Sequence, residues 1–214
     1  YTYFTWRNTR REIEEYFTEV SHQTAAFFRP NFFVNTPDIL TEFLQYGGPP
    51  AFKIRAVLAS TASPLWGMYA GFELYEHVAR PGAEEYIDNE KFEYKQRDFA
   101  AAEAENRSLA PYITRLNQIR RDHPALGDLQ NLTVHSSTDE ATVAYSKHKQ
   151  VDLSDPRSKD TLIIVVNTDP HSARECTVTL DLDALHLDPQ DFNEDGTFWV
   201  DDLISGASYR WGQY

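Results

Sequence analysis

The chain has 214 residues, of which 41% are hydrophobic, which suffices for one medium domain or two small ones with a packed core. The formal net charge of −13 speaks against binding nucleic acid, which needs clustered lysine and arginine, although a few local donors can hold one small phosphorylated substrate. No apolar run approaches membrane-spanning length, and the single cysteine, Cys176, cannot form an internal disulfide, which favours a cytoplasmic protein.

The first part of the chain predicts an α/β arrangement. Residues 1–6 are aromatic and β-prone, and residues 10–20 carry apolar side chains at helical spacing. Residues 31–35 form a short apolar run typical of a buried parallel strand. Thr36 and Pro37 supply a hydroxyl cap and a first-turn proline, which predicts that a helix starts there.

A second strand completes this unit. After a helix predicted over about residues 51–60, residues 65–71 form another short apolar run, in which two glycines allow close backbone approach. Strand, helices and strand predict a parallel pair with a right-handed crossover. Residues 81–99 are polar and aromatic without a period, which predicts a long surface loop, and a helix capped by Asn106 or Ser108 follows.

From residue 125 onward the pattern predicts an all-β structure. Short β-prone runs separated by turn residues are typical of an antiparallel β-sandwich. We therefore expect two domains, one α/β over residues 1–124 and one β-sandwich over residues 125–214. Trp199 and Trp211 are expected to fill the sandwich, with a starch-binding surface as the alternative. The β-prone runs are residues 132–135, 142–145, 161–166, 177–182 and 198–200.

Asp38 is the strongest candidate for chemistry. The apolar strand ends at Asn35, and Asp38 lies three residues beyond it, at the strand's carboxyl end. In parallel barrels this edge holds the active site. The carboxylate is also explained as a charge in the first turn of the following helix, and the pattern alone leaves both interpretations open. Glu73, after the second strand, is predicted either to orient neighbouring groups or to pair with an arginine.

Three segments resemble glycoside hydrolase family 13, the α-amylase superfamily. Residues 29–38 (RPNFFVNTPD) resemble the family's seventh-strand motif, with Thr-Pro where most members have histidine. The chain resembles one branch in particular, the α-1,4-glucan:maltose-1-phosphate maltosyltransferases. The resemblance lies in the Thr-Pro departure, in residues 1–9 (YTYFTWRNT) and in residues 88–93 (DNEKFE). The resemblance implies the C-terminal part of a (β/α)8 barrel, with the eighth strand ending near Glu73, followed by an antiparallel β-sandwich.

The resemblance also implies roles for individual residues. Asp38 would be the third catalytic carboxylate, which stabilises the transition state, and Asn35, Lys91 and Phe92 would bind substrate. In the family the nucleophilic aspartate and the acid/base glutamate follow earlier strands, so both are expected upstream of Tyr1. The chain does not begin with methionine, and we expect a natural N-terminal region to precede it. This chain by itself is therefore expected to be inactive.

The implied reaction is retaining transfer of maltosyl units from α-maltose 1-phosphate to an α-1,4-glucan, with release of phosphate. A homodimer without metal or organic cofactor is implied as well. One alternative is a hydrolase or isomerase of the same superfamily acting on starch or trehalose, against which Thr36 and Pro37 in the motif argue. Another is a non-catalytic glucan-binding module, to which Asp38 would not matter.

Overall fold

Helices, a parallel strand pair and an antiparallel sheet make up the fold. The computed structural model describes residues 2–90 and 94–212, so the predicted substrate-binding residues Lys91 and Phe92 lie outside the described residues. No helix within these ranges is long and apolar enough to cross a membrane. The helices are α1 (Arg10–Thr18), α2 (Glu42–Tyr46), α3 (Gly48–Ala62), α4 (Phe99–Ala104) and α5 (Ala110–Asp122). The strands are β1 (Asn31–Phe33), β2 (Leu65–Gly67), β3 (Leu132–Ser137), β4 (Thr142–Gln150), β5 (Lys159–Asn167), β6 (Val178–Thr179), β7 (Thr197–Asp201) and β8 (Ser208–Gly212).

The chain opens with a short 3-10 helix, Tyr3–Trp6, and the extended segment predicted there is wrong. Of its aromatic side chains Phe4 packs into the core: it is fully buried, and its ring stacks on that of Phe32 with 4.4 Å between the centroids. The buried guanidinium of Arg55 in α3 donates to the backbone carbonyls of Phe4 and Arg7. These hydrogen bonds stabilise a tight turn at a place where β-prone residues alone would favour a strand.

A complete capping box begins α1. Thr9 Oγ1 accepts the N–H of Glu12 at 3.3 Å, and Glu12 Oε2 accepts the N–H of Thr9 at 3.0 Å. The hydrogen bond from the Thr9 backbone holds the pKa of Glu12 below its usual range. The predicted helix is confirmed, and beyond Thr18 it continues as a π-helical turn, Glu19–Gln23.

Thr9→Ala is expected to lower the free energy of unfolding by about 1 kcal/mol, because one N–H at the start of the helix loses its side-chain acceptor. Thr9→Ser keeps an oxygen at the same position and is the control. Thermal unfolding followed by circular dichroism compares both variants with the parent. A melting temperature for Thr9→Ala equal to that of the parent would contradict a stabilising cap.

The two N-terminal strands form the predicted parallel pair. Asn31 lies opposite Leu65, and Phe33 lies opposite Gly67. A Cβ atom at Gly67 would approach Phe33 Cζ to 2.8 Å, so any larger residue at this position would have to displace the Phe33 ring. Helices α2 and α3 connect β1 to β2, which confirms the strand–helix–strand unit.

The later strands form an antiparallel sheet, as predicted. Its order is β5-β4-β3-β6, and β7 and β8 form a separate hairpin, an arrangement compatible with a sandwich. Trp199 is 63% exposed, so the expectation that it fills the core is wrong. In the hairpin Trp211 lies opposite the buried Phe198, whereas Trp199 lies opposite Arg210. Successive side chains on a strand alternate between faces, which places Trp199 on the exposed face.

The helices and the sheet share one hydrophobic core. Tyr145 in β4 is fully buried, and its hydroxyl lies 2.6 Å from Thr61 Oγ1 in α3. The Tyr145 ring meets that of Phe17 in α1 edge-on, with 5.3 Å between the centroids. His22 Nε2 is hydrogen-bonded to the Leu132 carbonyl at 3.0 Å. These contacts hold the sheet against the helices, and the domain boundary at residue 124 stays a prediction.

Candidate functional site

Asp38 is exposed on a tight turn that follows β1. The N–H of Thr36 donates to the Ile39 carbonyl at 3.0 Å, and the N–H of Ile39 donates to the Thr36 carbonyl at 3.2 Å. The N–H of Asp38 donates to Thr36 Oγ1 at 3.2 Å, so this hydroxyl stabilises a turn and not a helix start. The helix predicted to start at Thr36 is therefore wrong, since α2 begins at Glu42.

The position of α2 bears on the two interpretations of Asp38. A carboxylate stabilises a helix dipole when it lies in or next to the first turn. Glu42 holds that position in α2, and Thr41 precedes it as the N-cap residue. Asp38 lies outside the helix, so a role as a first-turn charge has no support in this structure.

Two residues of the long loop predicted over residues 81–99 hold the Asp38 turn in place. The Glu84 carbonyl accepts the N–H of Leu40 at 2.5 Å, and the N–H of Tyr86 donates to the Pro37 carbonyl at 3.4 Å. The Glu84 carboxylate accepts the indole N–H of Trp6 at 2.8 Å. The turn is thus bonded on both sides of Asp38, and its carboxylate projects from a fixed backbone.

Asn35 connects the end of β1 to the two segments that follow β2. Its side chain is fully buried, its Oδ1 accepts the N–H of Tyr69 at 2.9 Å, and its Nδ2 donates to the Tyr86 hydroxyl at 2.6 Å. Burial raises the pKa of Tyr86, which keeps its hydroxyl protonated. These contacts are internal to the protein, and the role of Asn35 in binding substrate stays a prediction.

Glu73 stabilises the backbone after β2. Its carboxylate accepts the N–H of Gly71 at 3.0 Å, and its carbonyl accepts the N–H of Leu109 at 2.7 Å. Gly71 has a φ of +98°, and a Cβ atom there would lie 2.2 Å from Glu76 Oε2. Of the two predicted roles, the structure supports orientation of neighbouring groups.

A largely buried ion cluster lies next to these residues. Only 5% of the Arg97 side chain is exposed; its guanidinium contacts the Glu76 carboxylate at 2.8 and 3.1 Å and Glu90 Oε2 at 2.9 Å. Lys95 Nζ lies 3.2 Å from Glu76 Oε2. Burial raises the pKa of Glu76, but hydrogen bonds from Arg97 and Lys95 outweigh it and keep that pKa below its usual range. We call Arg97, Glu76 and Glu90 the Arg97 cluster.

The sequence named Asn35 and Asp38 as candidates, an assignment that stays a prediction, but it did not indicate the residues that surround them. The structure brings Tyr69 and Tyr86 to Asn35 across separations of 34 and 51 residues. Arg97 and Glu76 are 21 residues apart, in segments without periodicity. The one available signal was an arginine within an acidic, aromatic stretch, and that pattern alone is typical of a solvated surface.

The site thus joins an exposed carboxylate on a hydrogen-bonded turn to a buried amide and to the loop residues Glu84 and Tyr86. A carboxylate in such a place can accept hydrogen bonds from sugar hydroxyls or stabilise a nearby positive charge. No group of three or more histidine, cysteine, aspartate or glutamate side chains within the described ranges has the geometry to hold a metal ion.

Residues 134–214 match the family model described as GLGE, C-terminal, which identifies the class of the C-terminal part of the chain. Over 214 residues, all of this chain, the sequence is 49% identical to α-1,4-glucan:maltose-1-phosphate maltosyltransferase 2 of Streptomyces coelicolor. Over the same 214 residues it is 49% identical to the maltosyltransferase of Mycolicibacterium smegmatis and 48% to that of Mycobacterium tuberculosis. The chain spans 30%, 29% and 29% of these three relatives.

The resemblance to the α-1,4-glucan:maltose-1-phosphate maltosyltransferases is therefore confirmed, and membership of glycoside hydrolase family 13 stays a prediction. Over its whole length the chain is related to the C-terminal region of the α-1,4-glucan:maltose-1-phosphate maltosyltransferases.

Proposed function

We propose that the complete protein transfers maltosyl units from α-maltose 1-phosphate to the non-reducing end of α-1,4-glucans and releases phosphate. The observation that carries this proposal is the identity of 48–49% across the whole chain to relatives with that name. The exposed Asp38 carboxylate beyond a parallel strand supports it, because enzymes built on parallel barrels place catalytic groups at this edge. A cytoplasmic homodimer belongs to the same proposal.

The parallel unit fits this assignment. We propose that β1 and β2 are the last two strands of a (β/α)8 barrel of the α-amylase superfamily, and that the antiparallel strands form the sandwich that follows it. Such a barrel repeats a strand followed by a helix, and β1 and β2 are parallel neighbours joined through helices, here two of them.

The proposed mechanism is retaining. A carboxylate nucleophile and a general acid/base flank the bond that is broken, and positive charge develops on the sugar in the transition state. Asp38 stabilises that charge and orients sugar hydroxyls, while Asn35, Lys91 and Phe92 belong to the donor site. The nucleophile and the acid/base are proposed to lie in a region preceding Tyr1, so this chain alone does not catalyse the reaction.

The test is phosphate release by the full-length protein supplied with α-maltose 1-phosphate and a maltooligosaccharide acceptor. We expect phosphate together with acceptors lengthened by one maltosyl unit, detected by mass spectrometry. The 214-residue chain given the same substrates is expected to release none. Shortened oligosaccharides without phosphate release would favour the hydrolase alternative, and glycogen binding without any reaction would favour the binding module. Either result from the full-length protein would overturn the proposal.

A further inference from the structure

We propose that Tyr86 is a positioning residue for Asp38. It lies buried between the loop and the end of β1, and it holds the backbone that directly precedes the Asp38 carboxylate. The inference rests on the proposed function for the importance of Asp38 at the carboxyl end of a parallel strand. The geometry that carries it lies entirely within the described residues.

Tyr86 binds the chain at two places just before Asp38. Its hydroxyl accepts a hydrogen bond from Asn35 Nδ2 at 2.6 Å, three residues before the carboxylate. Its backbone N–H donates to the Pro37 carbonyl at 3.4 Å, one residue before it. Each residue has only two soft backbone dihedral angles, so two anchors this close together strongly restrict where the Asp38 Cα atom can lie.

The side chain of Tyr86 is in turn held by Tyr69. The two rings meet edge-on with 5.5 Å between the centroids, and only 4% of Tyr86 is exposed. The backbone N–H of Tyr69 donates to Asn35 Oδ1 at 2.9 Å, so both polar atoms of the Asn35 amide are bonded. The three residues form a closed set of contacts, and a shift of one residue disturbs its contacts with both of the others.

Backbone pairing holds Tyr86 in place within the loop. Tyr86 and Ala79 form an antiparallel β-bridge. Next to this bridge the N–H of Ile87 donates to the Val78 carbonyl at 3.1 Å. The backbone position of Tyr86 is therefore fixed independently of the contacts that its side chain makes.

Loss of the Tyr86 hydroxyl should therefore act on Asp38. In Tyr86→Phe the buried Asn35 amide loses the acceptor of its Nδ2, and a buried hydrogen-bond donor without a partner favours rearrangement of its side chain. Asn35 and Pro37 flank the backbone of the turn, so such a rearrangement displaces the carboxylate. A displacement of about 1 Å can cost about 100-fold in rate when the group acts on the transition state.

The test is a double-mutant cycle in the full-length protein, with kcat for phosphate release as the measurement. Tyr86→Phe alone should lower kcat about tenfold and change the KM for α-maltose 1-phosphate less than about twofold, because Asp38 acts in the transition state. In the Asp38→Asn background the same substitution should lower kcat less than about twofold, because the charge that Tyr86 positions is gone. A purely structural role would lower kcat by the same factor in both backgrounds.

Tyr145→Phe is the matched control. The hydroxyl of the fully buried Tyr145 lies 2.6 Å from Thr61 Oγ1, so this variant removes a buried tyrosine hydroxyl from the contact between β4 and α3. It should lower the melting temperature and keep the parental kcat. Hydrogen exchange supplies a readout that does not depend on activity: peptides covering residues 36–40 should exchange faster in Tyr86→Phe and at the parental rate in Tyr145→Phe.

A parental kcat in Tyr86→Phe, or an equal loss of kcat in both backgrounds, would overturn the inference. If Tyr86→Phe unfolds at the assay temperature, Asn35→Ala removes the donor of the same hydrogen bond and replaces it in the cycle, measured at saturating α-maltose 1-phosphate with the same two outcomes. If the parent enzyme releases no phosphate, the proposed function fails. Exchange of residues 36–40 in Tyr86→Phe then decides alone whether Tyr86 fixes the turn, and a parental exchange rate means that it does not.

Discussion

Asp38→Asn is expected to lower phosphate release by the full-length protein on the order of 10²–10³-fold, the loss typical of removing one electrostatic stabiliser of a transition state. The amide has nearly the shape of the carboxylate, but it carries no charge to offset the positive charge that develops on the sugar. The backbone should keep its conformation, because hydrogen bonds of Thr36, Ile39 and Leu40 hold the turn. The measurement is kcat for phosphate release at saturating donor and acceptor.

Glu42→Gln is the control for this variant. It removes an exposed carboxylate from the first turn of α2, four residues further along the chain, and should keep the parental kcat. Glycogen binding distinguishes the enzyme from the remaining alternative, a non-catalytic binding module. Such a module should bind glycogen equally well with aspartate or asparagine at position 38. A parental rate in Asp38→Asn would show that this carboxylate takes no part in the reaction.

The parallel unit could be predicted from the sequence because local signals and tertiary structure agree there. Two short apolar runs bounded by proline and glycine became β1 and β2, and their pairing follows from the helices between them. The predicted order of strand, helices and strand also placed Asn35 and Asp38 at the carboxyl end of a strand. Signals that depend on the strand alone therefore sufficed for the position of these two residues, whereas their proposed roles came from the family resemblance.

The prediction failed where distant segments override local preference. Thr36 and Pro37 form a good helix start, yet the carbonyl of Glu84 captures the N–H of Leu40 and favours a turn. The opening segment has β-prone residues, but the carbonyl of Phe4 is satisfied by Arg55, 51 residues away. No periodic pattern in the sequence indicates hydrogen-bond partners that are so distant along the chain. For the same reason the Arg97 cluster was not predicted.

Lys147 in β4 is a fully buried lysine in the shared core. Its ammonium donates to the Asp128 carbonyl, and the positive charge of Arg120 in α5 is close enough to oppose its own. Burial, reinforced by Arg120 and partly offset by Asp128, lowers the pKa of Lys147 to about 7. Near neutral pH the folded state must therefore either bury the charged ammonium group or release its proton, and both cost free energy.

This lysine makes stability depend on pH in a defined direction. Above about pH 7 the folded lysine loses its proton, whereas the unfolded lysine keeps one until the pH nears its ordinary pKa of 10.5. Stability rises with pH wherever the unfolded state binds more protons, here by at most about 1.4 kcal/mol per pH unit. The rise should end near pH 10, where unfolded tyrosines ionise but the buried Tyr145, whose pKa is raised by burial, does not.

Lys147→Met is expected to remove this rise and to stabilise the protein near pH 7 by about 1–4 kcal/mol, because an apolar side chain of similar length has no charge to desolvate. Melting temperatures measured at intervals between about pH 7 and 9 compare the slopes. Lys149→Met is the control: it removes the same side chain two positions along β4, where 37% of it is exposed, and should keep the parental slope. Equal slopes for Lys147→Met and the parent would mean that the buried ammonium is not the group that titrates. A destabilised Lys147→Met with a flat slope would mean that its hydrogen bond to Asp128 outweighs the cost of burying the charge.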